Sequence, residues 1–365
     1  MKAKSVHRSS APAKPPRPRL KDVARVAGVH VSTVSRALND TTSHLITAEV
    51  RARIREVCDR LGYVPNQTAY SLRTNRTRTV GVVIPDITNP VFPPIIRGIE
   101  DGLFEHGYVA ITVNTDGHEA REKLMIETLL ARSVDGLIMA NVRHADASIS
   151  ELARHSVEVV TVNRRVDDPA VPSVVNREDE GVRLMLSHLA RLGHHRIAHI
   201  AGPQNTSTGR RRFECFRAAL SEHGLSSAAC PAVFAGAFNE AEGERCTCAL
   251  LADRAGVTAI LCANDRIAVG AIAELRRHGL DCPRDMSVTG FNDMPFVDRI
   301  DPPLTTIRVA QYAAGKSAAT IMVERLTAAM PVEPRHELMP VELVVRASSA
   351  PPPTSPHLSS RPASR

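Results

Sequence analysis

Apolar residues follow a helical spacing in three short groups between residues 20 and 62. The groups are Leu20, Val23, Ala24 and Ala27; Val34 and Leu38; and Val50, Ile54, Val57 and Leu61. Positions i, i+3, i+4 and i+7 are typical of a helix with one buried face. Gly28 is a turn residue between the first two groups, and Thr47 is a suitable N-cap for the third. We therefore predict three helices packed around one small core.

The pattern changes at Val80, where short β-branched runs alternate with amphipathic stretches. The runs are VGVVI (80–84), VAITV (109–113), GLIMA (136–140), VEVVTV (157–162), RIAHI (196–200), TAILC (258–262) and MSVTGF (286–291). Helical stretches lie near 93–106, 119–132, 180–192, 209–223, 239–252, 266–278 and 311–328. Strands separated by such helices indicate βαβ units with parallel sheets. Because roughly 270 residues are many for one open sheet, we predict an α/β fold with two doubly wound lobes and a ligand cleft at the strand ends.

Composition sets the boundaries between the parts. Residues 1–18 and 347–365 are rich in Pro, Ser, Ala and basic residues, so we predict disorder in both. The small helical domain then covers 19–64, a linker covers 65–78, and the α/β domain covers 79–346. Segments that cross between the two lobes are expected near 175–179, 303–309 and 332–337.

The sequence carries no membrane or secretion pattern. It has no apolar run of about 18 residues, so no transmembrane helix is predicted. The basic stretch 1–19 is not followed by an apolar segment, so no signal peptide is predicted. The seven cysteines are scattered and odd in number, which favours reduced thiols. We therefore expect a cytoplasmic protein without a membrane partner.

The net charge of +7 is concentrated at the N-terminus. Residues 1–78 hold 16 Lys and Arg against 5 Asp and Glu, whereas the rest of the chain holds 30 against 34. A basic module joined to a mildly acidic body indicates a polyanionic partner for the N-terminal part. The alternative is a solvated basic face.

Several longer segments resemble the lactose/galactose repressor (LacI/GalR) family. They are LKDVARVAGVHVSTVSRALND (20–40), TAEVRARIREVCDRLGYVPNQTAYSLRT (47–74), GVVIPDITNP (81–90), DGLIM (135–139), LGHHRIAHIAGP (192–203), CANDRIAVGAI (262–272), SVTGFND (287–293) and PPLTTI (302–307). The resemblance covers about residues 20–346, in order. It implies a helix-turn-helix head, a hinge helix within 65–78, and a two-lobed domain like a periplasmic binding protein that binds an effector and forms a homodimer.

The resemblance places the DNA contacts in the second helix and the linker. Val31, Ser32 and Arg36 would meet base edges, and Arg36 is suited to the O6 and N7 atoms of guanine. The positions expected to contact phosphates are Thr33, Ser35 and Asn39. His30 stands where the family usually has a capping serine, and histidine caps poorly, so we expect it to contact a phosphate instead. The alternative for Arg36 is a solvated helix residue.

The linker residues implied to act on DNA are Ala69, Leu72 and Arg73. A segment of about two helical turns is marginal alone, so it would fold only when two copies pair on DNA. Leu72 would then wedge between central base pairs from the minor groove and kink the duplex, beside Arg73. Ala69 is small enough for the two hinges to approach. The alternative is that Leu72 is simply buried in the linker.

The resemblance also implies an effector pocket between the lobes. Its residues are Phe92, Asn163, Arg164, Thr206, Thr208, Arg212, Phe238, Asn264 and Asn292. Asn163 replaces an acid common in the family, and Asn292 stands where several members carry Asp. Fewer carboxylates and additional Arg indicate an effector with acidic or acceptor-rich groups, such as a sugar acid or phosphorylated sugar. The alternative for Asn264 and Asn292 is turn chemistry after a strand.

These observations together predict a transcriptional regulator, most simply a repressor, that binds a palindromic operator in the nucleoid as a dimer formed largely by the first lobe. A sugar or sugar derivative would control operator affinity through the hinge. We expect no enzyme activity and no cofactor, because no GxSxG elbow is present. His194, His195 and His199 lack the spacing of a zinc site, so we expect no metal. The alternatives are a solute-binding protein and a sugar-acting enzyme with a DNA-binding head.

Overall fold

A computed structural model describes residues 18–38, 42–63, 76–155, 157–253 and 256–353. The chain divides into two compact units, Met1–Thr77 and Arg78–Arg365. Most of the predicted hinge and of both predicted tails lie outside the described residues. Within the described residues, no helix is both long enough and apolar enough to cross a bilayer.

The first unit contains the three predicted helices. They are α1 (Leu20–Ala27), α2 (Val31–Ala37) and α3 (Ala48–Leu61), with a 3-10 turn at Ser43–Leu45 before α3. Gly28 has φ of 65°, so it ends α1 in the left-handed region that favours glycine. The buried core consists of Val23, Ala24, Ala27, Val34, Ala37, Ile54, Val57 and Cys58. The expected helical spacing is therefore the spacing of the buried face.

The first lobe of the second unit is built on a six-stranded parallel sheet. Its strands lie in the order β11-β5-β4-β3-β1-β2. They are β1 (Thr79–Ile84), β2 (Val109–Asn114), β3 (Gly136–Met139), β4 (Glu158–Val162), β5 (Ser173–Asn176) and β11 (His336–Met339). Its helices are α4 (Phe92–Phe104), α5 (Glu119–Ala131), α6 (Ala147–Arg154) and α11 (Gln311–Thr327). A Cβ atom on Gly98 would lie 2.1 Å from the Tyr312 carbonyl oxygen, so glycine permits the close crossing of α4 and α11.

The second lobe is built on a four-stranded parallel sheet of order β7-β6-β8-β9. Its strands are β6 (Ile197–Ala201), β7 (Ala232–Phe234), β8 (Ala259–Cys262) and β9 (Ser287–Thr289). Its helices are α7 (Glu178–Arg191), α8 (Ser207–Glu222), α9 (Glu240–Ala252) and α10 (Asp265–Arg277). A separate antiparallel pair joins β10 (Thr306–Val309) to β12 (Val341–Val344). Two doubly wound lobes and a helical head confirm the predicted fold class.

The chain passes between the lobes three times. The first passage follows β5 and precedes α7, and the second lies between β10 and α11. The third passage differs from the expected 332–337. Residues 336–339 still pair with β5 in the first sheet, and the chain leaves that sheet at Pro340. Proline has no amide hydrogen to donate to a strand, which accounts for the break between β11 and β12.

The described start of the C-terminal tail, residues 347–353, packs against the second lobe, contrary to the disorder expected from composition. Ser348 is fully buried. The Val288 amide donates to the Ser348 carbonyl oxygen at 2.9 Å, and the Ser348 hydroxyl donates to the Val288 carbonyl oxygen at 2.6 Å. A ring nitrogen of His194 lies 2.8 Å from the Ala350 carbonyl oxygen. Hydrogen bonding to β9 therefore orders a segment whose composition resembles that of a linker.

His199 is a neutral histidine in the core of the second lobe. Its side chain is fully buried, Nδ1 lies 2.7 Å from the Leu261 carbonyl oxygen, and Nε2 has no hydrogen-bond partner among the described residues. Its ring stacks on Phe216 with centroids 4.7 Å apart. Burial, against the opposing hydrogen bond to Leu261 and with a contribution from the charge of Arg212, lowers the pKa of His199 to about 4. Protonation would place a charge at Nε2 in apolar surroundings.

We expect His199 to contribute acid sensitivity. Because its folded pKa of about 4 lies below the ordinary value of 6.5, the unfolded chain takes up this proton more readily. The stabilisation is complete above about pH 6.5 and is lost as pH falls towards 4, a difference of roughly 3 kcal/mol. Urea unfolding at a series of pH values should show a shallower dependence in His199→Leu. The remaining slope would come from other groups with lowered pKa values, among them His188 and His194, which burial affects in the same direction, and the ion-paired Glu242.

The matched control is His195→Leu, because His195 lies in the same segment but is exposed. This variant should retain the pH dependence of the parent protein. An unchanged slope in His199→Leu would contradict the assignment of that slope to His199.

Candidate functional site

Helix α2 presents the predicted base-reading residues on its outer surface. Val31 is 38% exposed, and Ser32 and Arg36 are also exposed. Val34 and Ala37 on the opposite face are buried in the core of the head. Core packing thus fixes the rotation of the helix and leaves its polar face free for a ligand.

The residues predicted to contact the DNA backbone divide into two groups. Thr33 and Ser35 are half-buried at the edge of the exposed face of α2. Asn39, the third residue predicted for phosphates, lies outside the described residues, as do the predicted hinge residues Ala69, Leu72 and Arg73. Their roles remain predictions from sequence.

His30 caps α2, contrary to the expectation that it would be free to bind a phosphate. The backbone N–H of Ser32 donates to Nδ1 of His30 at 3.2 Å, and the Ser32 hydroxyl lies 2.8 Å from the same atom. A ring nitrogen that accepts a hydrogen bond from the first turn performs the function of a capping oxygen. The start of α2 is therefore stabilised by His30 in place of a serine at the N-cap position.

A narrow pocket of about 30 Å³ lies between the two lobes of the second unit. Its lining residues are Asn89, Val91, Phe92, Asn163, Arg164, Thr208, Arg212, Phe238, Asn264 and Asn292. These residues follow β1, β4, β6, β7, β8 and β9, where carboxyl ends of parallel strands form ligand sites. Eight of the nine residues predicted for the effector are thus brought together.

A wider cavity of about 390 Å³ adjoins this pocket. The two share Asn89, Phe92, Arg164 and Phe238. Thr206, the ninth predicted residue, lines the wider cavity only. Its hydroxyl donates to the Pro203 carbonyl oxygen at 2.7 Å and accepts from the Gly209 amide at 3.1 Å, so it also caps α8. The combined space is large enough for a small polar ligand.

Arg212, one of the predicted effector residues, is paired with a carboxylate of the protein itself. It forms a bidentate ion pair with Glu178, with Nε on one carboxylate oxygen and Nη2 3.2 Å from the other. The side chains of Arg212 and Glu178 are only 3% and 7% exposed. The guanidinium carbon also lies 3.7 Å from the centre of the Phe291 ring. Both oxygens of Glu178 are therefore committed to the protein.

Glu178 is the functional residue that sequence reasoning missed. It is the first of three acids in the opening turn of α7, Glu178, Asp179 and Glu180. Acids at that position are ordinarily explained by the helix dipole. Only the contact with Arg212 distinguishes Glu178 from its neighbours. Because the two residues are far apart in the sequence, the local pattern of residues could not predict this contact.

Asn264 and Asn292 line the pocket and also form hydrogen bonds that stabilise the local fold. Asn264 caps α10 by accepting the Ile267 amide at 2.9 Å. Asn292 has φ of 122°, and its carbonyl oxygen accepts Gln311 Nε2 at 2.9 Å. The alternative of turn chemistry therefore describes part of their function, while both still line the pocket.

Asp265, next to Asn264, is fully buried beneath the same edge of the sheet. Burial raises its pKa to about 6, although the Met294 amide donates to its carboxylate at 2.8 Å. A carboxyl group held this firmly by backbone positions a loop and does not face the ligand.

An ion pair also joins the two lobes at the cleft. Arg266 at the start of α10 contacts Asp86 of the first lobe at 3.1 Å and Glu240 of the second at 2.7 Å. The hydrogen bonds that Arg266 donates to Glu240 raise the pKa of Arg266. This network holds the rim of the wider cavity in the arrangement described.

The two domains of the chain are those of a bacterial regulatory protein with a DNA-binding head and a ligand-binding domain. Residues 19–66 match the profile described as bacterial regulatory proteins, lacI family. Residues 186–349 match a periplasmic binding protein-like domain.

Relatives extend this similarity to most of the chain. The ribose operon repressor of Escherichia coli K12 is 34% identical over 333 residues, which are 90% of this chain and 99% of that protein. The transcriptional repressor PurR of Aliivibrio salmonicida is 30% identical over 308 residues, covering 84% and 92%. The chain therefore belongs to the lacI family, as its motifs predicted.

Solved structures agree in fold. The lac repressor dimer bound to operator and the anti-inducer ONPF has a TM-score of 0.80 at 26% identity, covering 92% of this chain and all of that one. A lacI-family regulator from Enterococcus faecium with bound ribose has a TM-score of 0.67 at 29% identity, covering 75% and 99%.

We expect Glu178→Ala to destabilise the second unit by about 3–5 kcal/mol, because it leaves Arg212 buried without a counter-ion. Urea unfolding followed by circular dichroism measures this loss. Glu222→Ala is the control, since it breaks the exposed pair of Arg183 and Glu222, whose side chains are 50% and 46% exposed. That change should cost no more than about 1 kcal/mol. Equal losses in the two variants would contradict the structural role of the buried pair.

Proposed function

We propose that this protein is a homodimeric transcriptional repressor that binds operator DNA and responds to a small molecule in the cleft between its lobes. The observation that carries the proposal is the exposed polar face of α2, on a head that matches the lacI family profile. A short helix held by its neighbours with a polar outer face is suited to the major groove.

Base recognition in this proposal rests on Arg36, Ser32 and Val31. The guanidinium of Arg36 can donate two hydrogen bonds to one guanine, whereas the Ser32 hydroxyl is less selective and Val31 offers apolar contact to a thymine methyl. Thr33, Ser35 and Asn39 would contact phosphates, which orient the helix without reading sequence. Two symmetry-related heads would require a palindromic operator.

The ligand in this proposal is a sugar or sugar derivative bound by the residues that line the narrow pocket. The solved regulator from Enterococcus faecium contains ribose, and a curated relative is named as a ribose operon repressor. Strand-end asparagines, two arginines and the rings of Phe92 and Phe238 supply the polar and apolar surfaces that a sugar needs. The relatives are named as repressors, which favours binding without turnover.

The linker would convert ligand binding into a change of DNA affinity. A hinge of about two turns is marginal alone, so a bias of a few kcal/mol would be sufficient to fold or unfold it. Leu72 would enter the minor groove once two hinges pair, with Ala69 at their contact and Arg73 beside the groove. Because the partner is nucleoid DNA, the protein would act in the cytoplasm.

We expect Arg36→Ala to reduce the preference for operator over random DNA. Loss of a bidentate contact to guanine costs about 1–3 kcal/mol of discrimination, or roughly five- to 150-fold. Fluorescence anisotropy at fixed salt measures both affinities. Arg25→Ala removes the same charge from α1 and should weaken both affinities alike. Equal losses for both DNAs in Arg36→Ala would contradict base recognition by this residue.

We expect Leu72→Ala to weaken operator binding and to reduce the bend of the bound duplex, because the wedge that offsets unstacking is lost. Affinity and bend angle can be followed by electrophoretic mobility and by energy transfer between labelled DNA ends. Ligand binding to the cleft should be unchanged. A full bend with bound Leu72→Ala would show that another residue opens the base step.

A further inference from the structure

We propose that the ligand of the cleft is an anion, a small molecule with a carboxylate or phosphate group that pairs with Arg164 and Asn141 on the wall of the first lobe. This inference rests on the proposed function of the cleft. The sequence already indicated an acidic or acceptor-rich ligand, and the structure adds a subsite for the acidic group, including Asn141, that the sequence did not predict.

Arg164 is the central cation of the cleft. It follows β4 and lines both the narrow pocket and the wider cavity. Nη1 donates to the Asn141 carbonyl oxygen at 3.3 Å, while Nε is buried without a hydrogen-bond partner. Among the described residues, no carboxylate lies within 4 Å of its guanidinium. A guanidinium in this position lacks the acceptors that normally satisfy its planar donors.

The other arginines that line the cleft already have partners. Arg212 is paired with Glu178, and Arg266 is paired with Asp86 and Glu240. Arg143 lies 3.5 Å from Glu122.

Arg164 therefore carries a positive charge that the described part of the protein does not pair. Burial, together with the charges of Arg143 and Arg212, lowers its pKa to about 10, and the more distant Glu122 offsets only part of this effect. An anion bound at Nε would relieve this unfavourable burial.

Asn141 provides a second polar group at the same wall, where its side chain also interacts with Glu122. It is 5% exposed, lines the wider cavity, and neither its amide nitrogen nor its amide oxygen makes a hydrogen bond of good geometry. Buried polar groups are normally satisfied, and those that are not mark a place for a ligand or water. The amide nitrogen could donate to an anionic oxygen held by Arg164.

Two arginines line the narrow pocket, whereas no carboxylate is among its described lining residues. Both oxygens of Glu178 are held by Arg212, and the side-chain oxygen of Asn264 is held by the Ile267 amide. Every hydroxyl of a neutral sugar brings a proton that needs an acceptor, whereas a carboxylate or phosphate only accepts. The balance of the pocket thus favours an acceptor-rich, negatively charged ligand.

The test uses the full-length protein and a panel of matched probes. Ribose and glucose are the neutral arm, ribonate and gluconate the carboxylate arm, and ribose 5-phosphate, glucose 6-phosphate and inorganic phosphate the phosphate arm. Melting temperature and calorimetry measure binding, since a ligand of the folded state raises the melting temperature. We expect stabilisation from one anionic arm and less from its neutral parent. The arm that responds identifies the group.

Arg164→Met should lower the affinity for the responding anion by about thirtyfold or more, because a buried charge pair is lost. Arg164→Lys keeps the positive charge but loses the paired N–H donors of the guanidinium. Its affinity for the anion should lie between that of the parent protein and that of Arg164→Met. Arg132→Met removes an exposed charge from the end of α5 and is the control, with unchanged affinity. Neutral sugars that bind as tightly as their acids, or anions that bind the parent protein and Arg164→Met equally or not at all, would overturn the proposal.

Operator binding separates this inference from the function on which it rests. If a neutral sugar alters operator affinity and Arg164→Met responds normally, the charge assignment is wrong and the cleft remains the effector site. If an anion stabilises the protein through Arg164 without altering operator affinity, the anion site stands and the effector role of the cleft is wrong.

Discussion

The buried ion pair of Arg212 and Glu178 is the contact on which the architecture of the cleft depends. Glu178 opens the first helix after the chain enters the second lobe, and the guanidinium also reaches the Ala263 carbonyl oxygen and the ring of Phe291. One side chain thereby holds four segments where the second sheet presents its ligand residues. Because separating these charges in an apolar setting is costly, the segments are constrained to move together.

Within this constrained cleft, the arginines differ in whether a carboxylate of the protein neutralises their charge. An arginine whose carboxylate comes from the protein shapes the site, whereas an arginine without one can select a ligand. Arg212 and Arg164 stand at adjacent positions in the same pocket but differ in this respect. The sequence predicted both arginines as pocket residues on the same grounds. Only the geometry shows that Arg212 has a carboxylate partner and that Arg164 has none among the described residues.

Much of the fold could be predicted because periodicity reports burial directly. The core of the head and most strands of the two sheets follow from local spacing, and strand ends then locate the pocket. What could not be predicted depends on distant partners. Glu178 required knowledge of Arg212, the order of residues 347–353 required the edge of β9, and the cap formed by His30 required a specific ring orientation. Strand β7 is short and partly exposed, so its pattern was too weak to identify.

The attachment of Ser348 to β9 also bears on how the molecule avoids unwanted self-association. Strand β9 lies at the border of the four-stranded sheet, where unpaired amides and carbonyls would otherwise invite a strand from another molecule. The chain covers this border with its own late residues, which donate and accept at Val288. This Ser- and Pro-rich stretch therefore occupies the edge groups of Val288, which a chain that ended before it would leave open to pairing with another strand.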